Sequence, residues 1–282
     1  MEDGDAGHIF AAVSVAANHK PVGMDGGNAA VIKIRKSDMR IAGVHFFTSA
    51  DNMAYTLAMD AGFIYSGQYT YPGRIVKIDK RTMKVANTLV LAPGSNDVRW
   101  IFKDATNPRV LYALTNTQPG GVLRVDMDNM KLLRSSTLNS GCDNPLAGVS
   151  SVFDRDFLYI GTNTVPGRVI KVAKDTMQQV AELPLSAGED TIVSLQSDAV
   201  YLYAATYTKP GFVVQIRKSD MRAVGKLPLS IGEDKITAMV HGKEHLYAAT
   251  DTVHGRLVRL QGFRSWPLKA PSQPEVKASV VP

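Results

Sequence analysis

One stretch of nineteen residues constrains this chain more than any other feature, because it recurs. Residues 203–221 read YAATYTKPGFVVQIRKSDM, residues 159–177 read YIGTNTVPGRVIKVAKDTM, and residues 112–130 read YALTNTQPGGVLRVDMDNM. Residues 65–83 read YSGQYTYPGRIVKIDKRTM, and a shorter copy, YAATDTVHGRLVRLQGF, occupies 247–263. The leading tyrosines Tyr65, Tyr112, Tyr159, Tyr203 and Tyr247 are spaced by 47, 47, 44 and 44 residues. A period of this length is the mark of a repeat architecture, in which each copy is one supersecondary unit that buries its apolar face against its neighbours.

Each copy reads as four short strands. In the copy around Tyr203 the first is YLYAAT, where aromatic and β-branched residues favour extended chain. Thr208 to Gly211 (Thr-x-Pro-Gly) makes a turn, with Pro presetting φ and Gly supplying unusual dihedrals. The strand FVVQI follows, then a turn at Lys218-Ser219-Asp220, then MRAVGKLPL, a Gly-containing loop, and KITAMV. Breaks every 8 to 12 residues without a helical period predict an all-β fold. Six tyrosine-type strands occur, with Phe10 taking the tyrosine place in the first, and six KITAMV-type strands, the last at 276–281 (VKASVV). The matching counts predict a six-bladed β-propeller over residues 1–282, one domain, with the C-terminal strand entering the sheet begun by the N-terminus; closure of that kind removes an open strand edge. The first copy carries a Gly-rich polar insert at about 14–28, and the last, at about 247–282, is degenerate.

The order apolar strand, x-x-L-Y-[AIV]-x-[TN], then V-x-[KR]-[IV]-D resembles YVTN and NHL-like propeller repeats. The fuller pattern Y-x-G-T-x-T-x-P-G-R-V-x-K-V is similar to tandem repeats of uncharacterised protist proteins. The resemblance implies a propeller, and it implies no single function, because such folds carry lactonases, oxidoreductases and non-catalytic scaffolds alike.

Composition narrows the function classes. With 32 Lys and Arg against 26 Asp and Glu the net charge is +6, which favours acidic partners without the dense basic blocks of nucleic-acid tails. One cysteine, Cys142, allows no internal disulfide and points to a reducing, intracellular and cytoplasmic setting. The N-terminus, MEDGDAG, has neither a basic region nor an apolar run, so no signal or transit peptide is expected. No apolar run reaches the length of a membrane span. Motifs for hydrolases, zinc, phosphate loops and dinucleotides are missing, which predicts a non-enzyme with no cofactor and no metal.

Comparison of copy with copy yields candidate columns. Thirteen residues after each recurring Met stand Asn52, Asn96, Asp143, Asp190 and Asp234, preceded by Asp51, Ser95, Cys142, Glu189 and Glu233. In a propeller these loops share the top face with the Thr-x-Pro-Gly turns. A ring of carboxylates there could hold a cation or a basic peptide; alternatively each Asx side chain closes its own loop onto backbone N–H groups. A basic column, Lys33, Lys77, Arg124, Lys171 and Arg259, with Gln215 in the same place, either covers apolar surface with its stems or contacts phosphates. The turns that follow are basic too and lie on the bottom face: Lys36 and Arg40, Lys80 and Arg81, Lys218 and Arg222. Symmetry breaks at His254, where the other full copies have Pro72, Pro119, Pro166 and Pro210. The first insert adds His19, Lys20 and Asp25. The sequence reading is therefore a non-catalytic protein-interaction scaffold within a larger assembly, with an acidic top face and a basic bottom face that docks an acidic protein. The alternatives are a lactonase-type or hydrolase-type enzyme using top-face acids, and a subunit of a ribonucleoprotein or cytoskeletal assembly in which nucleic acid meets the basic face.

Overall fold

The structure, a computed structural model, describes residues 7–14, 29–48, 51, 53–139, 151–242, 244–263 and 279–280. Among these residues there is no α-helix, and every regular element is a strand. The chain divides into two compact units, Met1–Thr137 and Leu138–Pro282, each with three antiparallel sheets.

In the first unit, the first sheet is β1 (His8–Ser14), β2 (Ala29–Arg35) and β3 (Ile41–Phe46). The second is β4 (Ala54–Met59), β5 (Phe63–Gln68), β6 (Arg74–Asp79) and β7 (Val85–Val90). The third is β8 (Val98–Lys103), β9 (Val110–Thr115), β10 (Gly121–Asp126) and β11 (Lys131–Thr137). In the second unit, the fourth sheet is β12 (Ser151–Phe153), β13 (Phe157–Gly161), β14 (Arg168–Ala173) and β15 (Gln179–Pro184). The fifth is β16 (Ile192–Ser197), β17 (Tyr201–Thr206), β18 (Phe212–Arg217) and β19 (Arg222–Pro228). The sixth is β20 (Ile236–His241), β21 (Leu246–Thr250), β22 (Leu257–Leu260) and β23 (Ser279–Val280).

Each complete sheet is a four-stranded meander in chain order, starting on the KITAMV-type strand and followed by the tyrosine strand. The recurring Met explains the hairpin between the last two strands. Met83 Nα donates to the Asp79 carbonyl at 2.8 Å, and Met83 has φ 56. Met39, Met130, Met177 and Met221 share that left-handed backbone, and the register shifts beside each turn, as in a hairpin closed by a bulge. An L residue in this region is uncommon outside glycine and asparagine. Burial compensates in the complete copies: Met83, Met130, Met177 and Met221 are 7%, 4%, 0% and 5% exposed.

One apolar residue directly follows each of β3, β7, β11, β15 and β19. Phe47, Leu91, Leu138, Leu185 and Leu229 are all buried. Leu91, Leu185 and Leu229 each donate a backbone N–H to the glycine of the Thr-x-Pro-Gly turn or its counterpart, Gly73, Gly167 and Gly211. Those glycines leave no room for a side chain: a Cβ on Gly211 would lie 2.9 Å from Ile236 Cγ1, and one on Gly167 2.9 Å from Ile192 Cγ1.

The C-terminal strand departs from expectation. Residues 276–281 were expected to enter the first sheet. Instead, Ser279 and Val280 pair with Arg259 and Val258, so β23 is the fourth strand of the sixth sheet. The first sheet has three strands among the described residues. Chain order accounts for this, since β22 exposes a free edge to the segment that follows it, in the way β6, β10, β14 and β18 do. Antiparallel pairing with that edge keeps the strand order of every other sheet. The insert residues His19, Lys20 and Asp25, the loop residues Asn52, Cys142 and Asp143, and residues 276–278 and 281 lie outside the described residues.

Candidate functional site

Each sheet has two ends: a loop end, with the Thr-x-Pro-Gly turn and the loop to the next sheet, and a turn end, with the basic hairpin. The sequence placed the basic docking surface on the turn end. The structure shows that two of the six residues of that surface are internal. Lys80 and Lys218 are 4% and 8% exposed, and Lys174, in the same column, is 6% exposed. Lys218 Nζ donates to the Asp198 carbonyl at 2.7 Å, Lys174 Nζ to the Asp154 carbonyl at 2.7 Å, and Lys80 Nζ to the Asp60 carbonyl at 2.5 Å. The aspartates, which the sequence reading passed over, stand five residues before each tyrosine. Asp198 Oδ1 accepts the N–H groups of Val200 and Tyr201, and its Oδ2 accepts the Tyr203 hydroxyl at 2.8 Å. Asp60 with Tyr65 and Asp154 with Tyr159 repeat the arrangement at 2.7 and 2.9 Å.

The result is an aspartate–tyrosine–lysine lock in the second, fourth and fifth sheets. Burial pushes the Tyr65 and Tyr159 hydroxyls up, and the bonded carboxylate adds to it, so both remain donors. Burial pulls the Lys218 ammonium down, opposed by Asp154 and Asp198. The lock's parts change together: the third copy has Met127 for the lysine and Asn107 for the aspartate, and the sixth has Gly262 and Gly242. The three lysines of the basic column on the middle strands are equally structural. Lys33, Lys77 and Lys171 donate to the carbonyls of Lys80, Met127 and Lys218, each in the hairpin of the next sheet of the same unit, at 3.1, 2.6 and 3.0 Å. Lys77 and Lys171 also sit over the rings of Phe63 and Phe157, 4.2 and 4.0 Å from the centroids. What remains exposed of the expected docking set is Arg40, Arg81 and Arg222, with Lys36 half-buried.

The acidic column of the loop end is also largely internal. Glu189 and Glu233 are each 3% exposed. Their Oε2 atoms accept the N–H groups of Ser186 and Ser230 at 3.0 Å, and Lys226 pairs with Glu189 at 2.6 Å. They close their loops as the Asx alternative foresaw, but the residue that does so is the glutamate preceding the Asp. Asp190 is half-buried, with Oδ1 unpartnered among the described residues.

His254 and Asp234 do come together. In the second unit a cleft of about 400 Å³ opens at the loop end of the fifth and sixth sheets. It is lined by Lys209, Asp234, Lys235, Asp251, His254 and Arg256, with Val253 and Gly232. Lys235 follows Asp234 on the loop into β20, where its N–H donates to the Thr208 carbonyl at 2.8 Å and its φ is 52. Asp234 is held by Lys209 at 3.6 Å, and Asp251 accepts the Tyr207 hydroxyl at 2.5 Å. Among the described residues no carboxylate pairs with Lys235, His254 or Arg256, all three exposed. Val253, which lines the cleft, is 96% exposed, and Ile231, next in sequence to the lining residue Gly232, is 99% exposed. The loop end here brings Lys209, Lys235 and Arg256 beside the expected Asp234. All three escaped the sequence reading. Lys209 and Lys235 belong to no recurring column, and departure from the repeat was their signal; Arg256 recurs as Arg74 and Arg168, but those two pair with Asp51 and Glu182. Among the described residues, no group of three or more His, Cys, Asp or Glu could hold a metal ion, and no helix is long and apolar enough to cross a membrane.

Neither a family model nor a curated protein sequence matches the chain. Solved structures do match in shape. BamB from Moraxella catarrhalis is similar with a TM-score of 0.57 and 14% identity, over 89% of this chain and 74% of that one. A chain in the crystal structure of a mitotic checkpoint complex is similar with a TM-score of 0.61 and 13% identity, over 78% of this chain and 65% of that one. With the repeated four-stranded sheets, this likeness shows the fold class: an all-β propeller with six sheets as its blades.

Proposed function

We propose that this chain is a non-catalytic protein-interaction module of a larger assembly, and that it docks an acidic, partly apolar segment of a partner protein in the cleft of its second unit. The observation that carries the reading is the group Lys235, His254 and Arg256, exposed without carboxylate partners, with Val253 in the same cleft and Ile231 next in sequence to its lining residue Gly232. The charges of Arg256 and of Lys235, which also lies 5.1 Å from the Tyr207 ring centroid, steer an acidic partner toward the cleft and orient it there, while apolar side chains that enter its contact supply the buried area. Both carboxylates of the cleft are engaged, Asp234 by Lys209 and Asp251 by Tyr207, which supports binding over acid–base chemistry. One of the similar structures is that of a mitotic checkpoint complex. Kinship with YVTN or NHL-like repeats belongs to the same proposal; it rests on the motif together with the propeller fold.

A fluorescent peptide alternating Glu and Leu is a direct probe. Wild-type protein is expected to bind it with a Kd that weakens as salt shortens the Debye length from about 30 Å to about 10 Å. Reversal of two cleft cations in K235E/R256E should weaken it at least about tenfold, the scale of losing two charge contacts. The turn-end variant R40E/R222E should bind as wild type does. Loss of binding in R40E/R222E with retention in K235E/R256E overturns the assignment in favour of the turn-end arginines, the surface that a ribonucleoprotein or filament contact would use.

A further inference from the structure

The first unit carries a cluster of three tyrosines that no other copy assembles, although Tyr69 alone recurs, as Tyr207. Tyr55 on β4 and Tyr69 and Tyr71 in the turn after β5 gather at the loop end of the second sheet. The corresponding places in the next copy hold Arg99, Asn116 and Gln118. Tyr55 and Tyr69 meet edge to face at 5.9 Å and 70°, and Tyr69 and Tyr71 at 5.5 Å and 87°. Arg99 of the third sheet lies against two of the rings, 4.5 Å from the Tyr55 centroid and 5.6 Å from that of Tyr69. Asp97, itself 1% exposed, fixes that arginine: Arg99 Nε donates to Asp97 Oδ2 at 2.8 Å, and Asn116 Nδ2 donates to the same oxygen at 2.9 Å. Despite this internal order the rings stay in water, Tyr71 at 66% and Tyr55 at 40% exposure.

We infer that this tyrosine cluster is a second docking surface, and that its occupant is a proline-rich segment of a partner protein in the polyproline II conformation. Three properties select that ligand. The first is composition: rigid aromatic side chains braced by arginine are what binding hot spots are made of, since they offer area with little rotamer entropy to lose. The second is charge: Arg99 is paired with Asp97, and Arg74, the first residue of β6, is paired with Asp51 at 3.1 Å. A phosphate backbone or an acidic peptide needs unpaired cations, and these two are neutralised, so the surface fits an uncharged ligand. The third is geometry: rings set nearly perpendicular to their neighbours make ridges with grooves between them, the relief on which proline rings seat. A polyproline II segment has no internal hydrogen bonds, so its carbonyls are free to accept. Tyr71 donates its hydroxyl to that of Tyr69 at 3.1 Å, which leaves the Tyr69 proton for an incoming carbonyl.

The test uses the full chain and three probes: a proline-rich peptide containing two P-x-x-P units, a ten-residue oligoglutamate, and a ten-nucleotide oligothymidylate. Calorimetry or the tyrosine ring resonances should report binding of the proline-rich peptide alone at this cluster. Y69A/Y71A should weaken it at least about tenfold, and Y69F by about threefold through the lost donor. Tyr71 is well exposed, so an unchanged thermal transition is expected for Y71A and separates a binding loss from a folding loss. Absence of binding at millimolar peptide, or equal binding by Y69A/Y71A, overturns the inference. Thymidylate binding that depends on Tyr69 and Tyr71 overturns it in favour of base stacking. K235E/R256E should leave this binding unchanged, so failure of the cleft and failure of the cluster are read separately.

Discussion

The fifth and sixth sheets lie in the same unit, descend from the same repeat, and have been used differently. In the fifth, Asp198, Tyr203 and Lys218 form the full lock, and Tyr203 is completely buried. At its loop end the Thr206 and Thr208 hydroxyls meet at 2.6 Å, and Thr208 donates onward to the Pro210 carbonyl at 2.8 Å. In the sixth, glycines stand at both outer positions of the lock, Tyr247 is half-exposed, and His254 takes the place of Pro210. Thr250 and Thr252 still meet, at 3.2 Å. Where the motif is complete, polar side chains are consumed in holding the blade together. Where it lapses, at His254, its turn joins the cleft with exposed cations. Recurrence here mostly marks structure, and the side chains of the cleft that depart from it, Lys209, Lys235 and His254, mark the candidate site.

The largest expected effect breaks the complete lock. Lys218→Ala removes the donor to the Asp198 carbonyl and should lower unfolding stability by about 2–3 kcal/mol, the range for a hydrogen bond to a charged group. A denaturant titration reads it, and an effect near zero would show that Lys218 is replaceable by water. Next comes a matched pair that sharpens the comparison. Tyr203→Phe leaves a partly buried Asp198 oxygen without its donor and should cost about 1–2 kcal/mol. Tyr247→Phe, with no aspartate five residues before it, should stay within about 0.5 kcal/mol of wild type. Equal costs would erase the distinction between the sheets. Because Tyr203 and Lys218 serve the same aspartate, their double variant should lose less than the two single losses combined.

The smallest effect is in the pH profile and compares two aspartates. Burial raises Asp154, but the N–H groups of Phe157 and Asp156, the Tyr159 hydroxyl and the Lys218 charge outweigh it, so its carboxyl sits below the usual value. The unfolded chain then binds the proton more readily than the folded one. The stability this contributes is present above the ordinary aspartate range and is lost as pH falls through the folded value. Asp154→Asn should flatten the acid limb of the stability curve. Asp97 shows the opposite sign: burial prevails over Arg99 and Asn116 and raises its carboxyl. Asp97→Asn should therefore not steepen loss at neutral pH, and its difference from wild type should narrow as the solution is acidified toward the unfolded aspartate value. Melting temperatures measured between about pH 3 and pH 7, across the carboxylate range, check both.

Much of this was legible in the sequence, and for physical reasons. Strand and turn are local matters: the alternation in YLYAAT, the Thr-x-Pro-Gly turn and the recurring Met each encode backbone geometry within a few residues, and the period gave six copies. The apolar column Phe47, Leu91, Leu138, Leu185 and Leu229 was readable for the same reason, and each is buried. The Asp-to-Tyr spacing of five residues was also in plain view, though it carries no meaning until the hydroxyl is seen to reach back. Tertiary structure decided the rest. A lysine in a polar hairpin looks exposed, and only packing shows that the ammonium of Lys218 turns inward to a carbonyl twenty residues upstream and that Lys171 reaches a hairpin 47 residues downstream. The C-terminal strand resembles a KITAMV strand in sequence, yet it pairs with β22, because strand pairing is settled by which edge is free and near. For a like reason the cleft was not legible: Glu189 and Glu233 are buried in their own loops, and the basic side chains of the cleft come from separate turns that only the fold brings side by side.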